Sequence, residues 1–218
     1  MEEIKHLMDI QELPKGYDCK TAILRTLHYK PEILILGTFN PYLPGKNYAD
    51  FFYGRNYLWP ALMNLFKYNK GELLGPRMPK NGKPKKELKP SLDEILELCE
   101  ELKLTFADLI LSVLHQDNPN YHMLDNGNVC YANQTFNLIQ DDKKDQVSGL
   151  VQLDKRKQVN WNTSNIINYL KDNPQITKIY FTRQPTKVWK KKWEEIKNNK
   201  CISDRIFTNI LHNHLSLR

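Results

Sequence analysis

The stretch from residue 31 to residue 66, PEILILGTFNPYLPGKNYADFFYGRNYLWPALMNLF, constrains the fold more than any other part of the chain. It opens with an uninterrupted apolar run at 33–36, which is typical of a strand buried on both faces. Gly37 directly behind the run suits a sharp turn. A long polar and aromatic loop follows, and Pro60 then suits the first turn of a helix. Because ligands of open α/β sheets bind in loops at the carboxyl ends of strands, we expect this loop to hold a ligand.

Strand-like and helix-like segments alternate through most of the chain. The predicted strands are residues 32–37, 104–113, 176–182 and 205–211. The predicted helices are residues 2–12, 19–29, 59–68, 91–102, 162–172 and 186–199. Such alternation predicts an α/β fold in which helices sandwich a parallel sheet. We expect one domain over residues 1–218, with irregular insertions near 69–90 and 115–160.

Composition limits the partners and the compartment. The chain has 218 residues with a formal net charge of +7, and a basic surface favours polyanions such as DNA, although a basic protein without a specific partner remains an alternative. Its four cysteines are unpatterned, which is typical of reduced thiols in the cytoplasm. No run approaches the roughly 18 apolar residues of a membrane span. We therefore expect a cytoplasmic monomer that binds DNA and no membrane.

The carboxyl ends of the four predicted strands should form one edge. They would bring together residues 37–56, 108–115, 182–184 and 212–216, which are rich in amides, hydroxyls, aromatics and histidines and poor in carboxylates. Metal-dependent nucleases need more carboxylates, and the sequence has no GxxxxGK[ST] or GxSxG motif. Asparagine amides and aromatic rings suit a planar base, which they can read and stack on.

The segments ILILGTFNP and FFYGRNYLWPAL resemble the uracil-DNA glycosylase superfamily, specifically its mismatch-specific and hypoxanthine-type branches. The resemblance implies a three-layer α/β/α sandwich around a central four-stranded parallel sheet. It implies hydrolysis of the N-glycosidic bond of a deaminated or mismatched base, uracil or hypoxanthine, during DNA repair. It also implies no cofactor and no metal.

The resemblance further implies roles for individual residues. Asn40 matches the water-positioning place of the first motif, and Asn56 is the second candidate for a catalytic amide. Phe52 or Tyr53 resembles the ring that stacks on the flipped base. The remaining candidates are Gly37 and Asp108 for binding the base, and Arg55, His212, His214 and Ser216 for contacts to the leaving base or DNA.

Several alternatives remain open at this stage. Asn40 precedes a proline and suits an Asx turn, and Asn56 suits the cap of the helix behind it. A lone carboxylate in an apolar run, such as Asp108, either caps the following segment or lies at the rim of a site. The protein as a whole is either a glycosylase or a nucleic-acid-binding protein that keeps the fold without the chemistry. A nucleotide-handling enzyme on a similar scaffold is a more distant possibility.

Overall fold

The computed structural model describes residues 2–9, 13–42, 58–68, 90–115, 121–123, 129–131 and 149–209. The strands in these residues are β1 (Glu2–Lys5), β2 (Tyr17–Lys20), β3 (Ile23–Thr26), β4 (Ile33–Gly37), β5 (Leu104–Asp108), β6 (Ile110–His115), β7 (Tyr121–Met123), β8 (Val129–Tyr131), β9 (Val159–Trp161), β10 (Lys178–Phe181) and β11 (Ile206–Asn209). The α-helices are α1 (Leu58–Met63), α2 (Leu92–Glu101), α3 (Gly149–Lys155), α4 (Thr163–Asp172) and α5 (Lys187–Lys197).

The largest sheet has six strands in the order β11-β10-β4-β5-β3-β2. Strands β11, β10, β4 and β5 pair in parallel, whereas β3 and β2 continue the sheet in antiparallel pairings. Strand β4 lies inside this sheet with Leu34 and Leu36 fully buried and Ile35 6% exposed, so the strand predicted from the apolar run is confirmed. The fold is mixed α/β, as expected.

Helices cover both faces of β4. Its side chains alternate between the two faces and so pack into two separate clusters. Leu34 and Leu36 belong to a core cluster with residues of α4 and α5, such as Ile166 and Trp189. Ile35 belongs to a second cluster with residues of α1 and α2. The helices predicted at 91–102, 162–172 and 186–199 therefore pack against the sheet through their apolar side chains. No helix among the residues described is long and apolar enough to cross a membrane.

A second sheet lies beside the first. It is antiparallel, with the order β1-β6-β9, and a short β7-β8 hairpin stands apart from it. The strand predicted at 104–113 is in fact two strands, because the chain passes from the large sheet to the second one at Leu109. The stretch predicted to be irregular contains α3 and β9, while residues 69–89 lie outside the described part of the chain.

Two predicted helices are wrong. Residues 2–12 contain β1 and a 3-10 turn at Leu7–Asp9, and residues 19–29 contain parts of the β2-β3 hairpin. Thr21 and Ala22 join the hairpin with φ angles of 55° and 48°, as in a type I′ turn. Both segments form strands instead, since β1 pairs with β6, and β2 and β3 pair with each other while β3 also pairs with β5. The hairpin makes the large sheet six-stranded and mixed, and not the expected four-stranded parallel sheet.

The helix predicted at 59–68 is partly confirmed. Helix α1 is followed by a π-helical turn at Asn64–Tyr68. The spacing of Leu62, Leu65 and Phe66 in the sequence predicts one buried helix face. The wider turn changes the helical register, and Leu65 and Phe66 are 42% and 53% exposed. Trp59 and Met63 are buried in their place.

Ser91 and Glu94 form a capping box at the start of α2, the helix that the sequence predicts at 91–102. The backbone N–H of Glu94 donates to Ser91 Oγ at 3.2 Å, and the N–H of Ser91 donates to Glu94 Oε2 at 2.7 Å. Two backbone donors at the helix end are thereby satisfied.

Candidate functional site

The candidate site lies where β4 and β5 end side by side. Gly37 and Asp108 are register partners on these parallel strands. A Cβ atom on Gly37 would lie 2.1 Å from Asp108 Oδ1, so only glycine leaves room for the carboxylate. The predicted meeting of these two residues at the carboxyl edge is confirmed.

The carboxylate of Asp108 is the centre of a hydrogen-bonded cluster. Its Oδ2 accepts from Asn40 Nδ2 at 2.7 Å and contacts His6 Nε2 at 2.9 Å. Asp108 is only 3% exposed, and a carboxylate at such a depth depends on hydrogen bonds of this kind. Neither partner belongs to the segment that follows Asp108, so the interpretation of Asp108 as a cap is wrong. We call His6, Asn40 and Asp108 the edge triad.

The proton on His6 can be assigned from its neighbours. The backbone N–H of Met8 donates to His6 Nδ1 at 3.1 Å, which makes Nδ1 an acceptor. The other nitrogen, Nε2, therefore carries the proton and donates to Asp108. The ring is completely buried, and the ring of Phe39 lies 5.9 Å from it at an angle of 56°.

Asn40 is held by its backbone as well as by its side chain. Its carbonyl oxygen accepts from the N–H of Leu7 at 2.9 Å. The N–H of Tyr42, which an Asx turn at Asn40 would use, donates instead to the Lys5 carbonyl at 2.7 Å. The Asx-turn alternative is therefore wrong, and the half-buried side chain of Asn40 is directed by Asp108.

Polar side chains also fix the backbone at the ends of β10 and β11. Thr182 Oγ1 donates to the Leu36 carbonyl at 3.1 Å, and Asn209 Nδ2 donates to the carbonyls of Phe181 and Arg183. The residues after β10 lie at the same edge as Gly37, as the sequence predicts. Their hydrogen bonds connect the end of β10 to β4 and the end of β11 to β10.

Asn162 fixes the backbone of Asp108, although the sequence predicts it only as the start of a helix. It is fully buried, and its Nδ2 donates to the carbonyls of Asp108 at 2.9 Å and Thr21 at 2.6 Å. The N–H of Asp108 in turn donates to the Ala22 carbonyl at 3.0 Å. The turn between β2 and β3 and the start of α4 thus hold the backbone of Asp108.

His6 is the residue that the sequence analysis missed. It stands in a segment expected to be helical, 102 positions before its partner Asp108. The one signal in the sequence is a lone histidine among the apolar residues Ile4, Leu7 and Met8, and that signal does not identify a partner.

Seven of the predicted site residues lie outside the described residues, and their roles stay predictions. They are Phe52, Tyr53, Arg55, Asn56, His212, His214 and Ser216. Within the described ranges, no group of three or more His, Cys, Asp or Glu side chains could hold a metal ion.

The edge triad offers an amide oxygen and a carboxylate at the ends of β4 and β5. With Nδ2 committed to Asp108, the Oδ1 of Asn40 is the atom of this amide that can accept from a water. The nearby carboxylate of Asp108 would favour a positive charge that develops beside it.

Comparisons with models of protein families, with curated proteins and with solved structures find no match to this chain.

Proposed function

We propose that this protein is a DNA glycosylase-like hydrolase that cleaves the N-glycosidic bond of a deaminated or mismatched base. The observation that carries the proposal is the amide of Asn40 at the end of β4, fixed by the buried carboxylate of Asp108. The resemblance of ILILGTFNP to the uracil-DNA glycosylase superfamily assigns the same asparagine to positioning of the water.

The arrangement of helices supports the same proposal. Four adjacent strands of the large sheet are parallel, and separate helices pack on the two faces of β4. We propose that these strands and helices form the α/β/α sandwich of the superfamily, to which β2 and β3 add an antiparallel edge.

In the proposed reaction, Asn40 Oδ1 accepts a hydrogen bond from the attacking water. The water oxygen bonds to C1′ of the sugar, and the bond between C1′ and the base nitrogen breaks. The base leaves with the electron pair, and the water gives up a proton that neutralises the departing base. The sugar passes through an oxocarbenium-like state, which the negative charge of Asp108 stabilises.

Positive charge on α5 supports DNA as the partner. The chain carries a net charge of +7, and Lys187, Lys190, Lys191 and Lys197 of α5 are exposed. Helix α5 begins six residues after β10 ends, and β10 ends at the edge that holds the site. A short stretch of chain therefore separates the amino-terminal lysines of α5 from that edge. Lysines in this place can contact phosphates while a nucleotide is flipped out.

The test is cleavage of oligonucleotides that carry uracil, hypoxanthine or a thymine mismatch, in single strands and in duplexes. We expect abasic sites with the wild-type chain and a loss of about 100-fold or more with Asn40→Ala, because the water loses its acceptor. Asn173→Ala is the matched control, since Asn173 caps α4 away from the edge triad, with its Nδ2 bound to the Tyr169 carbonyl. Salt-sensitive DNA binding without abasic sites would favour the non-catalytic alternative.

A further inference from the structure

We propose that His6 is a positioning residue of this site, which fixes the carboxylate of Asp108 and through it orients the amide of Asn40. This inference rests on the proposed function for its catalytic consequence, whereas its geometric content can be tested without turnover.

Two side chains donate to the same oxygen of Asp108. Nε2 of His6 and Nδ2 of Asn40 both donate to Oδ2 of Asp108, at 2.9 and 2.7 Å. An aspartate carboxylate rotates easily about its last torsion, so one donor alone does not fix its direction. Gly37 lies against Oδ1 but has no side chain that could donate to it, so it supplies no further hydrogen bond that would fix the carboxylate. The second donor, His6, defines the plane of the carboxylate.

The imidazole is itself held in one orientation. The Met8 N–H donates to Nδ1, which directs the protonated Nε2 toward Asp108. The ring is fully buried, and Phe39 lies beside it. A chain of hydrogen bonds thus runs from the Met8 N–H through His6 to Asp108, and Asn40 donates to the same oxygen of Asp108.

The segment that carries His6 also holds the backbone of Asn40. Strand β1 is anchored on β6 by four register pairs. Directly behind it, the Leu7 N–H donates to the Asn40 carbonyl, and His6 forms an isolated β-bridge with Pro41. One segment from outside the large sheet therefore fixes Asn40 twice, through its backbone and through the His6–Asp108 contact.

Two substitutions separate the two nitrogens of His6. In His6→Gln, the side-chain amide nitrogen can take the place of Nε2 and keep the donor to Asp108. In His6→Asn, the side-chain oxygen can take the place of Nδ1, which keeps the acceptor for Met8 and removes the donor to Asp108. Both variants replace the buried ring by a smaller side chain and lose one of its two hydrogen bonds, so both urea midpoints should fall, and further in His6→Asn, whose lost donor served a buried carboxylate.

We expect His6→Asn to lower kcat about 100-fold with little change in KM, since a misplaced Asn40 affects the reacting water more than DNA binding. His6→Gln should recover most of that loss. Equal losses of kcat, measured at a temperature where both variants are folded, would overturn the proposal, because a purely structural histidine predicts that result.

A readout without turnover distinguishes failure of this proposal from failure of the proposed function. In ¹⁵N spectra of the wild-type chain, His6 should be the Nε2–H tautomer, and the side-chain amide protons of Asn40 should exchange slowly. His6→Asn should speed that exchange at least about tenfold, whereas His6→Gln should not. If the wild type carries the proton on Nδ1, the proposal is wrong even where neither variant folds. If the exchange results hold but no base is excised, only the glycosylase proposal fails.

Discussion

Two histidine–carboxylate pairs in this protein have similar chemistry and different surroundings. His6 and Asp108 are 2.9 Å apart with side chains 0% and 4% exposed, whereas His28 and Glu100 are 3.3 Å apart and 35% and 52% exposed. Exposed pairs contribute little to stability because water screens them and two side chains must be ordered. A buried pair is costly to break because the remaining partner loses its hydrogen bonds out of reach of water.

A glycine accompanies each pair, for a different reason. Gly37 has no positive φ, and its missing Cβ makes room for Asp108 Oδ1. Gly16 has a φ of +97°, and a Cβ there would lie 2.6 Å from His28 Nδ1. The buried pair therefore needs the space that Gly37 leaves beside the Asp108 carboxylate. Beside the exposed pair, Gly16 is favoured by its backbone conformation. This difference suggests which substitutions should be most costly.

The largest loss of stability is expected for Asp108→Ala. It leaves the donors of His6 and Asn40 buried without their acceptor, at a cost of about 3 kcal/mol in the free energy of unfolding. Urea denaturation followed by circular dichroism measures the loss. A cost near that of an exposed substitution would show that the edge triad does not stabilise the fold.

Gly37→Ala comes next, with an expected cost of about 2 kcal/mol because the new methyl group displaces the Asp108 carboxylate. The same substitution made in Asp108→Ala should cost much less, because the group that it displaces is gone. Equal costs in both backgrounds would contradict the steric explanation.

Gly16→Ala should cost about 1 kcal/mol, mainly through the unfavourable φ of an alanine there. The exposed ring of His28 can swing into water and avoid the new methyl group. The cost should therefore persist in a His28→Ala background, in contrast to the behaviour expected at Gly37. Urea midpoints of the four chains provide the measurement.

The region of the exposed pair should also weaken in alkali. Burial, assisted by the nearby Cys99 and by the charges of Glu100 and Glu97, raises the pKa of Tyr17 from 10.0 to about 12. A raised pKa means that the folded state holds the phenol proton more tightly. This contribution is complete below pH 10 and is lost as the pH rises toward 12. The fall in urea midpoint between pH 9 and pH 11 should be smaller in Tyr17→Phe than in the wild type.

The smallest effect is expected for Glu100→Ala, below about 1 kcal/mol, because its contact with His28 is largely exposed. Moderate salt should leave this variant and the wild type closer still in stability. A loss as large as that of Asp108→Ala would remove the distinction between the two pairs.

The elements that the sequence predicted correctly share one property: side chains within a few residues of one another determine each of them. The apolar run at 33–36 gives β4, and Ser91 with Glu94 gives the start of α2. The stripe of Val188, Trp189, Trp193 and Ile196 gives α5. In each case the local side chains dictate burial or capping whatever the rest of the chain does.

The elements that it missed depend on distant partners. The segment at 19–29 has an apolar face that suits a helix equally well, but it belongs to the β2-β3 hairpin, which joins the large sheet where Ile23 pairs with Ala107 of β5. The π-helical turn after α1 likewise moved Leu65 and Phe66 to the surface without a local signal. In the hairpin, pairing with a distant strand overrides a local preference for helix.

The candidate site divides in the same way. The sequence by itself determined a strand ending in Gly37, a following Asn40 and a carboxylate in the next parallel strand, because parallel strands end at a common edge. Only the tertiary structure decided that Asn40 and Asp108, 68 positions apart, share a hydrogen bond, and that His6 completes the triad. Such contacts have no local pattern, since they form only when separate segments fold onto one another and bury their polar groups together.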